Sequence, residues 1–502
     1  MSCSRAVIES KTACHTRLFK RQKKPIHTES CHRLFNQKIV LAGFCMNRFF
    51  LSFKQACVTR SFRFNHSPAA THYDIIISGG GMVGFAMACS LGRNSCLKNK
   101  RILLLESSNY KELNLTAYNH RVCSLNLNSK LLLESLGAWQ HIVNARYSPV
   151  KKMQVWDAGS DAVITFGRAN LSEEIAWIVE NDVIQDSLVK ELHHKNQVDV
   201  QYQSKVINYK LPKHADDAVH VTLEDGSHIT TDLIIGADGY NSGLRQAMKT
   251  QYIIHDYNQM AVVATLRISE STENVTAWQK FLPSGPIAIL PLSNDLSSLV
   301  WSTDKKSAQH LLHLPQEIFT DQINQAIWSN QDKNRMAQNV TEKFFQLLKV
   351  CRINSREENE TDTFQLPPSV VGIEGHQAAF PLSFGHSVNY VSHKAVLIGD
   401  AAHRIHPLAG QGVNLGFGDV VALNQVINEA IDNGSDHGNC LYLQKYQSNR
   451  QLSNLPVMAV VHGLHLLYGT TSLPQVLLRS LGLTLADSLS SVKKFMIQRA
   501  SA

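Results

Sequence analysis

The sequence predicts an α/β (α+β) fold that combines a Rossmann-like domain, an inserted mixed β-sheet domain and a C-terminal helical tail. Three observations predict it. Residues 73–88 read as an apolar strand, a glycine turn and the start of a helix, YDIIISGGGMVGFAMA. Two later apolar strands each run into a turn that contains Gly and Asp, near residues 236 and 399. The section between them, about 250–380, contains strand-like pieces such as MAVVATLRI and SSLVWST, which suggest a separate sheet.

The basic charge of the chain is concentrated in a leader, residues 1–70. This segment holds thirteen of the 49 Lys and Arg but two of the 41 Asp and Glu, so the remainder carries 36 basic and 39 acidic residues. A nearly neutral body excludes an extended polyanion surface, and we expect no nucleic-acid partner. The acid-free stretch 46–71 predicts a mitochondrial presequence, with Met46 as an alternative start. A disordered basic tail is the alternative, and a secretory signal lacks its uninterrupted apolar centre here.

The ten cysteines predict neither a disulfide framework nor a metal site. Five of them lie in the leader. The other five show no CxxC pattern and no Cys/His ligand spacing. We therefore expect reduced, mostly buried thiols and no bound metal.

Periodicity and turn chemistry predict the remaining elements. We expect helices over 181–193, in an insert near 315–350, and over 128–140, where one face would carry Leu131, Leu132, Leu136 and Trp139. Asp225-Gly226 predicts a hairpin turn. Residues 353–366 read as a polar acidic loop, and the tail after Asn454 is apolar and helical in pattern. Histidine, proline and arginine interrupt its longest apolar run, so we predict no transmembrane helix.

The first glycine turn has the spacing of a dinucleotide-binding loop. Gly79, Gly81 and Gly84 follow a strand and open a helix, and glycine there permits a tight turn and close approach of the backbone to a pyrophosphate. Glu106 ends the next strand, RILLLE, where it can accept hydrogen bonds from a ribose hydroxyl. Such a turn also occurs as a packing feature, but its context favours a dinucleotide site. The glycine turn and Glu106 alone are compatible with either FAD or NAD.

Two later motifs point to a flavin. One strand runs into GADGYNS over 236–242, and another runs into GDAAH over 399–403, which continues as HPLAGQGVN over 406–414. With these motifs in this order, residues 73–440 resemble the flavoprotein aromatic hydroxylases, whose FAD domain is assembled from three separated segments. The resemblance implies FAD as the cofactor and a Rossmann-like FAD-binding domain of the aromatic-hydroxylase type, with no metal.

The resemblance also implies a division of the chain. Residues 1–70 would be the presequence or disordered leader, and 73–250 the first part of the FAD-binding domain. Residues 251–384 would form the substrate-binding β-sheet domain. Residues 385–435 would close the FAD-binding domain, and 436–502 would form a C-terminal helical region.

Several residues acquire expected roles at the cofactor. Asp400, at a strand end, is expected to bind the ribityl hydroxyls, and the helix that begins near 410–414 directs its positive end at the flavin's pyrimidine edge. Asp238 resembles a family residue that shapes the pyrophosphate region, unless it is a plain turn aspartate. Arg121 matches an arginine near the FAD, unless it is an exposed charge that flanks a helix. The expected cofactor-binding residues are Gly79, Gly81, Gly84, Glu106, Arg121, Asp238, Gly239, Gly399, Asp400, Gly410, Gly412, Val413 and Asn414.

Four stretches narrow the resemblance to the ubiquinone-biosynthesis branch, and most closely to its mitochondrial ring C-5 hydroxylases. They are FLPSGPIAILPL (281–292), AAFPLSFGHSV (378–388), HPLAGQGVNLGFGD (406–419) and VLLRSLGL (476–483). Arg404 departs from the pattern, because relatives more often hold an uncharged side chain there. The resemblance implies hydroxylation by O₂, through a flavin hydroperoxide, of a polyprenylated 4-hydroxybenzoate-type ring next to its phenol oxygen.

The same resemblance implies partners and a location. It implies a ferredoxin-type electron donor and other ubiquinone-biosynthesis proteins in a complex. It also implies peripheral association with the matrix side of the inner mitochondrial membrane. The C-terminal leucines beside Lys493, Lys494 and Arg499 would touch a membrane or a partner, unless they belong to an ordinary packing helix.

His406 and Pro407 are the candidate catalytic residues. A phenol attacks faster as its phenolate, so a proton acceptor should lie near the substrate. His406 precedes Pro407 in the loop expected to face the flavin, although a lone histidine can also be structural. Residues 281–292 and 378–382 could line an apolar channel for the prenyl tail or serve as core strands.

Two other functions would use the same features. Another prenyl-lipid flavin oxidoreductase or epoxidase would share the FAD motifs and give a product of different mass. A non-catalytic flavin-binding subunit of the biosynthetic complex would bind FAD without transferring oxygen. The sequence leaves open the ring position, the prenyl length, the direct electron donor and the oligomeric state.

Overall fold

The structure is a computed structural model, which describes residues 71–159, 163–167, 171–195, 197–214, 217–269, 273–329, 365–407, 410 and 412–468. The chain divides into two units, 1–65 and 66–502, and all described residues belong to the second. The leader, residues 353–364 of the acidic loop, the end of the predicted insert and the tail from 469 lie outside the described residues. So do Leu408, Ala409 and Gln411.

The described residues form nineteen strands and nine helices. The strands are β1 (Thr71–Ser78), β2 (Ile102–Leu105), β3 (Val122–Leu125), β4 (Ser148–Val150), β5 (Lys152–Asp157), β6 (Val163–Phe166), β7 (Ala176–Glu180), β8 (Asp199–Gln201), β9 (Val206–Lys210), β10 (Val219–Leu223), β11 (His228–Gly236), β12 (Tyr252–Ile268), β13 (Thr276–Leu282), β14 (Gly285–Pro291), β15 (Leu296–Asp304), β16 (Val370–Ser387), β17 (Val391–Ser392), β18 (Ala395–Leu397) and β19 (His403–Arg404). The helices are α1 (Met82–Gly92), α2 (Leu127–Ser135), α3 (Ala138–Ala145), α4 (Asn181–Lys195), α5 (Gly243–Ala247), α6 (Lys305–His313), α7 (Gln316–Trp328), α8 (Gly412–Asp432) and α9 (Cys440–Tyr468).

The first sheet has a parallel centre. Its strands lie in the order β17–β18–β11–β1–β2–β8, and β10 and β9 continue from β11 in antiparallel pairing. Ile75, Ile76 and Ile77 of β1 are fully buried. Such a continuous apolar run is typical of a central parallel strand that is covered on both faces. The hairpin predicted at Asp225-Gly226 is confirmed, because Gly226 has φ +85° and joins β10 to β11.

The second sheet contains eight strands in the order β19–β16–β12–β15–β14–β13–β5–β6. It contains β12 to β16, the strands that the structure describes in the segment 251–384, as expected of a separate sheet. However, β5 and β6 also belong to it, because β5 pairs in parallel with β13. The division at residue 250 needs this correction: Lys152–Asp157 and Val163–Phe166 lie in the second sheet. The prediction missed these two strands because β5 pairs with a strand far away in sequence, which local patterns cannot predict. A third sheet, β3–β7–β4, is small.

Two helix predictions are confirmed and one needs correction. Residues 181–193 lie in α4, and the start of the 315–350 insert is α7. The helix predicted over 128–140 is instead α2 and α3, because Gly137 adopts φ +79° and ends the first of them. Of the predicted face, Leu132, Leu136 and Trp139 are buried, whereas Leu131 is 50% exposed.

Helix α9 connects the two larger sheets. Its first half contributes Leu443 and Tyr446 to the core of the first sheet. Its last turns place Leu464 and Leu467 against Val155 and Phe281 of the second sheet. Among the described residues, each helix is too short or too polar to cross a membrane.

Candidate functional site

Three of the sequence motifs meet at one edge of the first sheet. Strands β1, β11 and β18 are adjacent and parallel, with Ser78 paired to Gly236 and Gly236 paired to Leu397. Because parallel strands end at the same edge, the turns that follow them lie side by side. These turns are the glycine turn, the 236–242 segment and the 399–403 segment.

The glycine turn packs tightly on one side and is open on the other. Gly79 has φ +106°, and a Cβ there would collide with the backbone oxygen of Ala237. A Cβ on Gly84 would collide with the oxygen of Gly79, so helix α1 can pack this closely against the turn only with glycine at position 84. A Cβ on Gly81 would meet nothing within 4 Å. This open backbone at a helix N-terminus suits the approach of a phosphate group.

Glu106 lies over the same turn. Its Oε2 accepts a hydrogen bond from the Gly80 N–H (2.6 Å), and its Oε1 accepts one from the Ser108 N–H (2.7 Å). Gln185 donates from Nε2 to the Gly80 oxygen (3.2 Å) on the other side of the turn. The carboxylate is therefore held at the end of β2, beside the turn, where a ribose hydroxyl would reach it.

Asp238 combines a structural contact with an available oxygen. Its Oδ2 accepts hydrogen bonds from the N–H groups of Gly243 (2.8 Å) and Leu244 (3.2 Å) at the start of α5. Its Oδ1 is buried and has no hydrogen-bond partner among the residues that the structure describes. The neighbouring Gly239 is open, since a Cβ there would meet nothing within 4 Å. The geometry supports the turn role for one oxygen and leaves the other for a ligand.

Arg245 connects the second motif, residues 236–242, to the third motif, residues 399–403. Its Nη1 donates to the Ala401 oxygen (2.8 Å), and its Nη2 donates to the Tyr240 oxygen (2.5 Å). The guanidinium also lies 3.8 Å from the centre of the Tyr252 ring on β12. One buried cation thus fixes two loops of the first sheet against the second sheet.

Asp419 of α8 holds the third motif in place. This fully buried carboxylate accepts hydrogen bonds from the Gly399 N–H (2.8 Å), His403 Nε2 (2.6 Å) and Arg450 Nε (2.7 Å). Burial alone would raise the pKa of Asp419, but His403, Arg450 and the Gly399 N–H lower it overall. The carboxylate is therefore ionised and fully paired.

Asp400 occupies the turn between these fixed points. Its side chain is open to solvent, although the protein around it removes enough water to raise the pKa of the carboxyl. The charges of His403 and Arg404 partly oppose this increase. Burial, followed by the charge of Asp400, raises the pKa of the Cys123 thiol to about 12, so the third motif lies close to β3.

The start of α8 is fastened to β3 and α2. Asn414 accepts from Ser129 Oγ (2.6 Å) and from the Asn126 N–H (3.1 Å), and its Nδ2 donates to the Ser124 oxygen (2.8 Å). Its side-chain amide therefore forms its hydrogen bonds within the protein. The contact with the cofactor that the sequence predicts for Asn414 would be made by its backbone. Gly410 lies against Ser124, and Gly412 and Val413 form the first turn of α8. The first N–H groups of a helix lack intrahelical partners, and they provide the positive end expected here.

Two arginines border strand β16 from opposite sides. Arg121 is exposed, and its guanidinium carbon lies 5.5 Å from the centre of the Phe380 ring. Arg404 donates to Ser383 Oγ (2.9 Å) and to the Pro381 oxygen (3.0 Å), and it lies 4.8 Å from the centre of the Tyr240 ring. The residue that departs from the family pattern therefore joins the flavin motifs to the second sheet.

His406 is fully buried in the loop before α8. Its ring lies edge-on to Tyr257, with centroids 5.0 Å apart, and 5.2 Å from the ring of His465. Burial, followed by the charge of His465, lowers the pKa of His406 to about 3. The imidazole is therefore neutral at physiological pH. The Pro407 carbonyl accepts from the Gly410 N–H (3.0 Å) and closes a turn.

Sequence reasoning missed several residues of this site. Asp419 ends the stretch 406–419, but the motif alone predicts no role for it. Its spacing of four from both Leu415 and Leu423 places an acid on the buried face of α8, and this is a signal that could have identified it. Arg450 and Tyr257 gave no local signal, because their partners are distant in sequence.

Comparison with known proteins identifies the family. Residues 72–346 and 378–458 match the FAD binding domain family. The chain is 47% identical over 438 residues to the mitochondrial ubiquinone biosynthesis monooxygenase COQ6 of Danio rerio, covering 86% of this chain and 90% of that protein. It is 46% identical over 451 residues to the human protein of the same name, covering 88% and 94% of the two chains.

Solved structures share the fold at low identity. A p-nitrophenol 4-monooxygenase, PnpA from Pseudomonas putida, matches with a TM-score of 0.61 and 14% identity, over 86% of this chain and 99% of that chain. P. aeruginosa PqsL in complex with 2-aminobenzoylacetate matches with a TM-score of 0.60 and 17% identity, over 82% and 99%. These similarities establish the α/β architecture with its several sheets.

Gly81 and Gly226 separate cofactor binding from folding. We expect Gly81→Ala to weaken FAD binding about tenfold or more, because the methyl group enters the open side of the phosphate-binding turn. Its stability should change by less than about 0.5 kcal/mol. Gly226→Ala, at φ +85°, should lose about 1 kcal/mol of stability and keep its FAD affinity. Flavin fluorescence titration and urea unfolding measure both quantities; equal FAD affinity for Gly81→Ala and the wild type contradicts the assignment.

His406 makes stability depend on pH. An unfolded histidine titrates near pH 6.5, whereas burial lowers the pKa of folded His406 to about 3. Between these values the unfolded chain binds a proton that the folded chain does not. The free energy of unfolding therefore decreases as the pH is lowered from about 6.5 toward about 3, by about 1.4 kcal/mol per pH unit from this residue. We expect His406→Gln to lack this component from pH 6 to 4.5 in urea titrations. The exposed control His310→Gln should keep it, and equal slopes for the His406→Gln variant and the wild type would refute the burial argument.

Proposed function

The chain belongs to the FAD-dependent aromatic hydroxylases, in their ubiquinone-biosynthesis branch, and from this we propose that it hydroxylates the ring of a polyprenylated 4-hydroxybenzoate-type intermediate. It is an FAD-dependent monooxygenase of ubiquinone biosynthesis, and it is mitochondrial. The observation that carries the proposal is the convergence of three separated motifs at the ends of β1, β11 and β18.

The residues at this edge fit FAD. The open backbone at Gly81 and the start of α1 would hold the pyrophosphate, and Glu106 would accept from a ribose hydroxyl. The unpartnered Oδ1 of Asp238 offers an acceptor beside the same turn. Asp400 would bind the ribityl chain, and the first turn of α8 would face the pyrimidine edge. The remaining glycines, together with Val413, supply backbone to this cradle, and Arg121 would lie near its rim.

FAD, when bound, supplies the activation of O₂ that side chains cannot perform. The chain's own work is to bind the phenol, exclude water and accept the phenolic proton. We assign the last task to His406, whose neutral imidazole lies in the loop before α8, and a positioning task to Pro407, which shapes that loop. The second sheet, with β13, β14 and β16, would form the substrate side of the site.

A product analysis tests this function. In cells that lack the protein, we expect a prenylated ring one oxygen short to accumulate while ubiquinone falls, as measured by mass spectrometry. The intact protein should clear this precursor, and Asp400→Ala should leave at least about 90% of it, because ribityl binding is lost. The surface variant Lys205→Ala is the matched control, since the Lys205 side chain is exposed and pairs with the exposed Glu224. Normal ubiquinone, or a precursor stalled at a methylation or prenylation step, would overturn the hydroxylase reading.

The same experiment separates the alternatives. An epoxidase or another flavin oxidoreductase would convert a different precursor, with a different change in mass. A non-catalytic subunit would restore ubiquinone even as a variant that retains FAD but cannot use O₂. Neither alternative has a specific observation in its favour.

We also propose that electrons come from a ferredoxin and its reductase, as the resemblance to mitochondrial relatives implies. Purified enzyme should form product with reduced ferredoxin and not with NADPH alone. If NADPH alone gives product, NADPH reduces the enzyme directly and the ferredoxin proposal is wrong. Association with other ubiquinone-biosynthesis proteins has the same basis, and co-purification from mitochondria would test it.

Peripheral binding to the matrix side of the inner membrane is the proposed location within mitochondria. It is supported by four exposed leucines that share one stripe of α9 at helical spacing. Their exposed fractions are 71% for Leu441, 75% for Leu452, 42% for Leu455 and 57% for Leu466.

A vesicle assay tests this location. We expect the wild type to float with vesicles of phosphatidylcholine and cardiolipin. A Leu452→Ser and Leu466→Ser double variant should bind at least about fivefold less, because it buries less apolar area. Val371→Ser, an exposed valine on β16, is the control. Wild-type protein that ignores such vesicles and is fully released by salt would exclude the location.

A further inference from the structure

The loop 106–121, which joins β2 to β3, has no helix or strand of its own. Loops of this length without regular structure are uncommon in compact domains, and most of them are functional. The first residue, Glu106, lies over the glycine turn, and the last, Arg121, lies against Phe380 of the second sheet. The loop therefore runs from the cofactor edge to the second sheet. We call its second half, residues 114–121, the strap.

One arginine, Arg146, follows helix α3 and binds the backbone of the strap. Its Nη1 donates to the Leu115 oxygen (2.7 Å), and its Nη2 donates to the oxygens of Ala117 (2.6 Å) and Asn114 (3.4 Å). The guanidinium carbon also lies 4.1 Å from the centre of the Tyr118 ring. A planar fork of donors can bind several carbonyl groups at once, and a lysine cannot reproduce it. A single side chain thus contacts four residues of the strap.

Glu180, the last residue of β7, holds this arginine in place. The two side chains form a bidentate ion pair, in which Arg146 Nε donates to Glu180 Oε2 and Nη2 donates to Oε1 (3.1 Å). The side chains are 14% and 3% exposed, so water screens the pair only weakly. Glu180 Oε1 also accepts a hydrogen bond from the Asn119 N–H (2.5 Å). One buried carboxylate therefore binds both the arginine and the strap.

The end of the strap transmits this restraint to Arg121. Asn119 Oδ1 accepts a hydrogen bond from the Arg121 N–H (3.0 Å), and the Asn181 N–H donates to the Arg121 oxygen (3.0 Å). Asn119 Nδ2 also donates to Asp182 Oδ2 (2.5 Å). The backbone of Arg121 is thus fixed by the start of α4 and by the strap, while the residue itself is exposed.

We propose that Arg146 is a positioning residue of the FAD site, because it fixes the strap and thereby places the guanidinium of Arg121 where FAD binds. This inference rests on the proposed position of Arg121 at the rim of that site, and it needs no assumption about the substrate. A loop that is ordered before binding loses less conformational freedom when the cofactor binds, and this raises affinity. The paired carboxylate of Glu180 cancels most of the charge of Arg146, so Arg146 acts through geometry and not through attraction to the phosphates.

The alternative is that Arg146 only supports the fold. A buried ion pair that loses one partner destabilises a protein wherever the pair lies. A loss of stability in an Arg146 variant is therefore expected on both interpretations. The two interpretations differ in whether the effect on FAD depends on Arg121.

A double-mutant cycle on FAD affinity distinguishes them. We expect Arg146→Lys and Arg121→Gln each to weaken FAD binding about tenfold, in flavin fluorescence titrations of the full chain stripped of its cofactor. With Arg121→Gln already present, Arg146→Lys should weaken binding by less than about a further twofold, because the strap then has no guanidinium to place. Independent effects would multiply to about one-hundredfold, and this result would overturn the proposal.

Hydrogen exchange of the FAD-loaded protein measures the strap directly. We expect Arg146→Lys to speed the exchange of peptides that cover residues 114–121 about tenfold or more, with the exchange of β1 unchanged. Wild-type exchange in the strap would show that Arg146 does not fix it. Asn119→Ala is a second variant that leaves the ion pair intact and removes the hydrogen bond to the Arg121 N–H. It should also weaken FAD binding, so the proposal can be tested even if Arg146→Lys fails to fold, and wild-type affinity in Asn119→Ala would contradict it.

Arg93→Lys is the matched control. Arg93 forms another partly shielded ion pair, with Glu191, and lies at the end of α1 opposite to the glycine turn. Its substitution should leave FAD affinity within about twofold of the wild type. An equal loss of FAD affinity in Arg93→Lys would assign the effect to general loosening and overturn the proposal.

The failure of the proposed site has its own result. If Arg121→Gln binds FAD as tightly as the wild type, the position assigned to Arg121 is wrong, and the role of Arg146 at the cofactor is refuted with it. The hydroxylase function does not enter these measurements, since they contain no substrate, and product analysis decides it separately.

Discussion

The buried carboxylate of Asp419 is the constraint on which the site depends. An ionised group without solvent is costly unless each oxygen is paired, and Asp419 satisfies this with the Gly399 N–H, His403 and Arg450. Its three partners belong to the turn after β18, the strand β19 and helix α9. Because the charge cannot move away from any of them, α8, α9 and the third motif are fixed together.

This anchor determines where the functional loop can lie. The segment 399–403 is held at one end by Asp419, and the start of α8 is held at the other by Asn414 through Ser124 and Ser129. The loop between them contains both Asp400 and His406. The contacts of Asp419 and Asn414 therefore restrain the positions of both residues.

Prediction from sequence succeeded where the cause is local. The β1–turn–α1 unit and the hairpin at Gly226 follow from glycine placement and apolar runs, which act over a few residues. The tight packing at Gly79 and Gly84 could be predicted for the same reason. Two contacts join residues far apart in sequence: the pairing of β5 with β13 and the ion pair of Asp419 with Arg450. Local sequence patterns cannot predict such contacts. The hydrogen bonds of the Asn414 amide could not be predicted, because its partners lie on another element.

The continuity of α9 couples the cofactor edge to the substrate sheet. Its first half packs through Tyr446 in the core of the first sheet, and its end packs through Leu467 on the second. A helix resists bending except where its hydrogen-bond ladder is interrupted, and Pro456 interrupts α9 between these two contacts. Any adjustment of one sheet relative to the other is therefore least costly at Pro456.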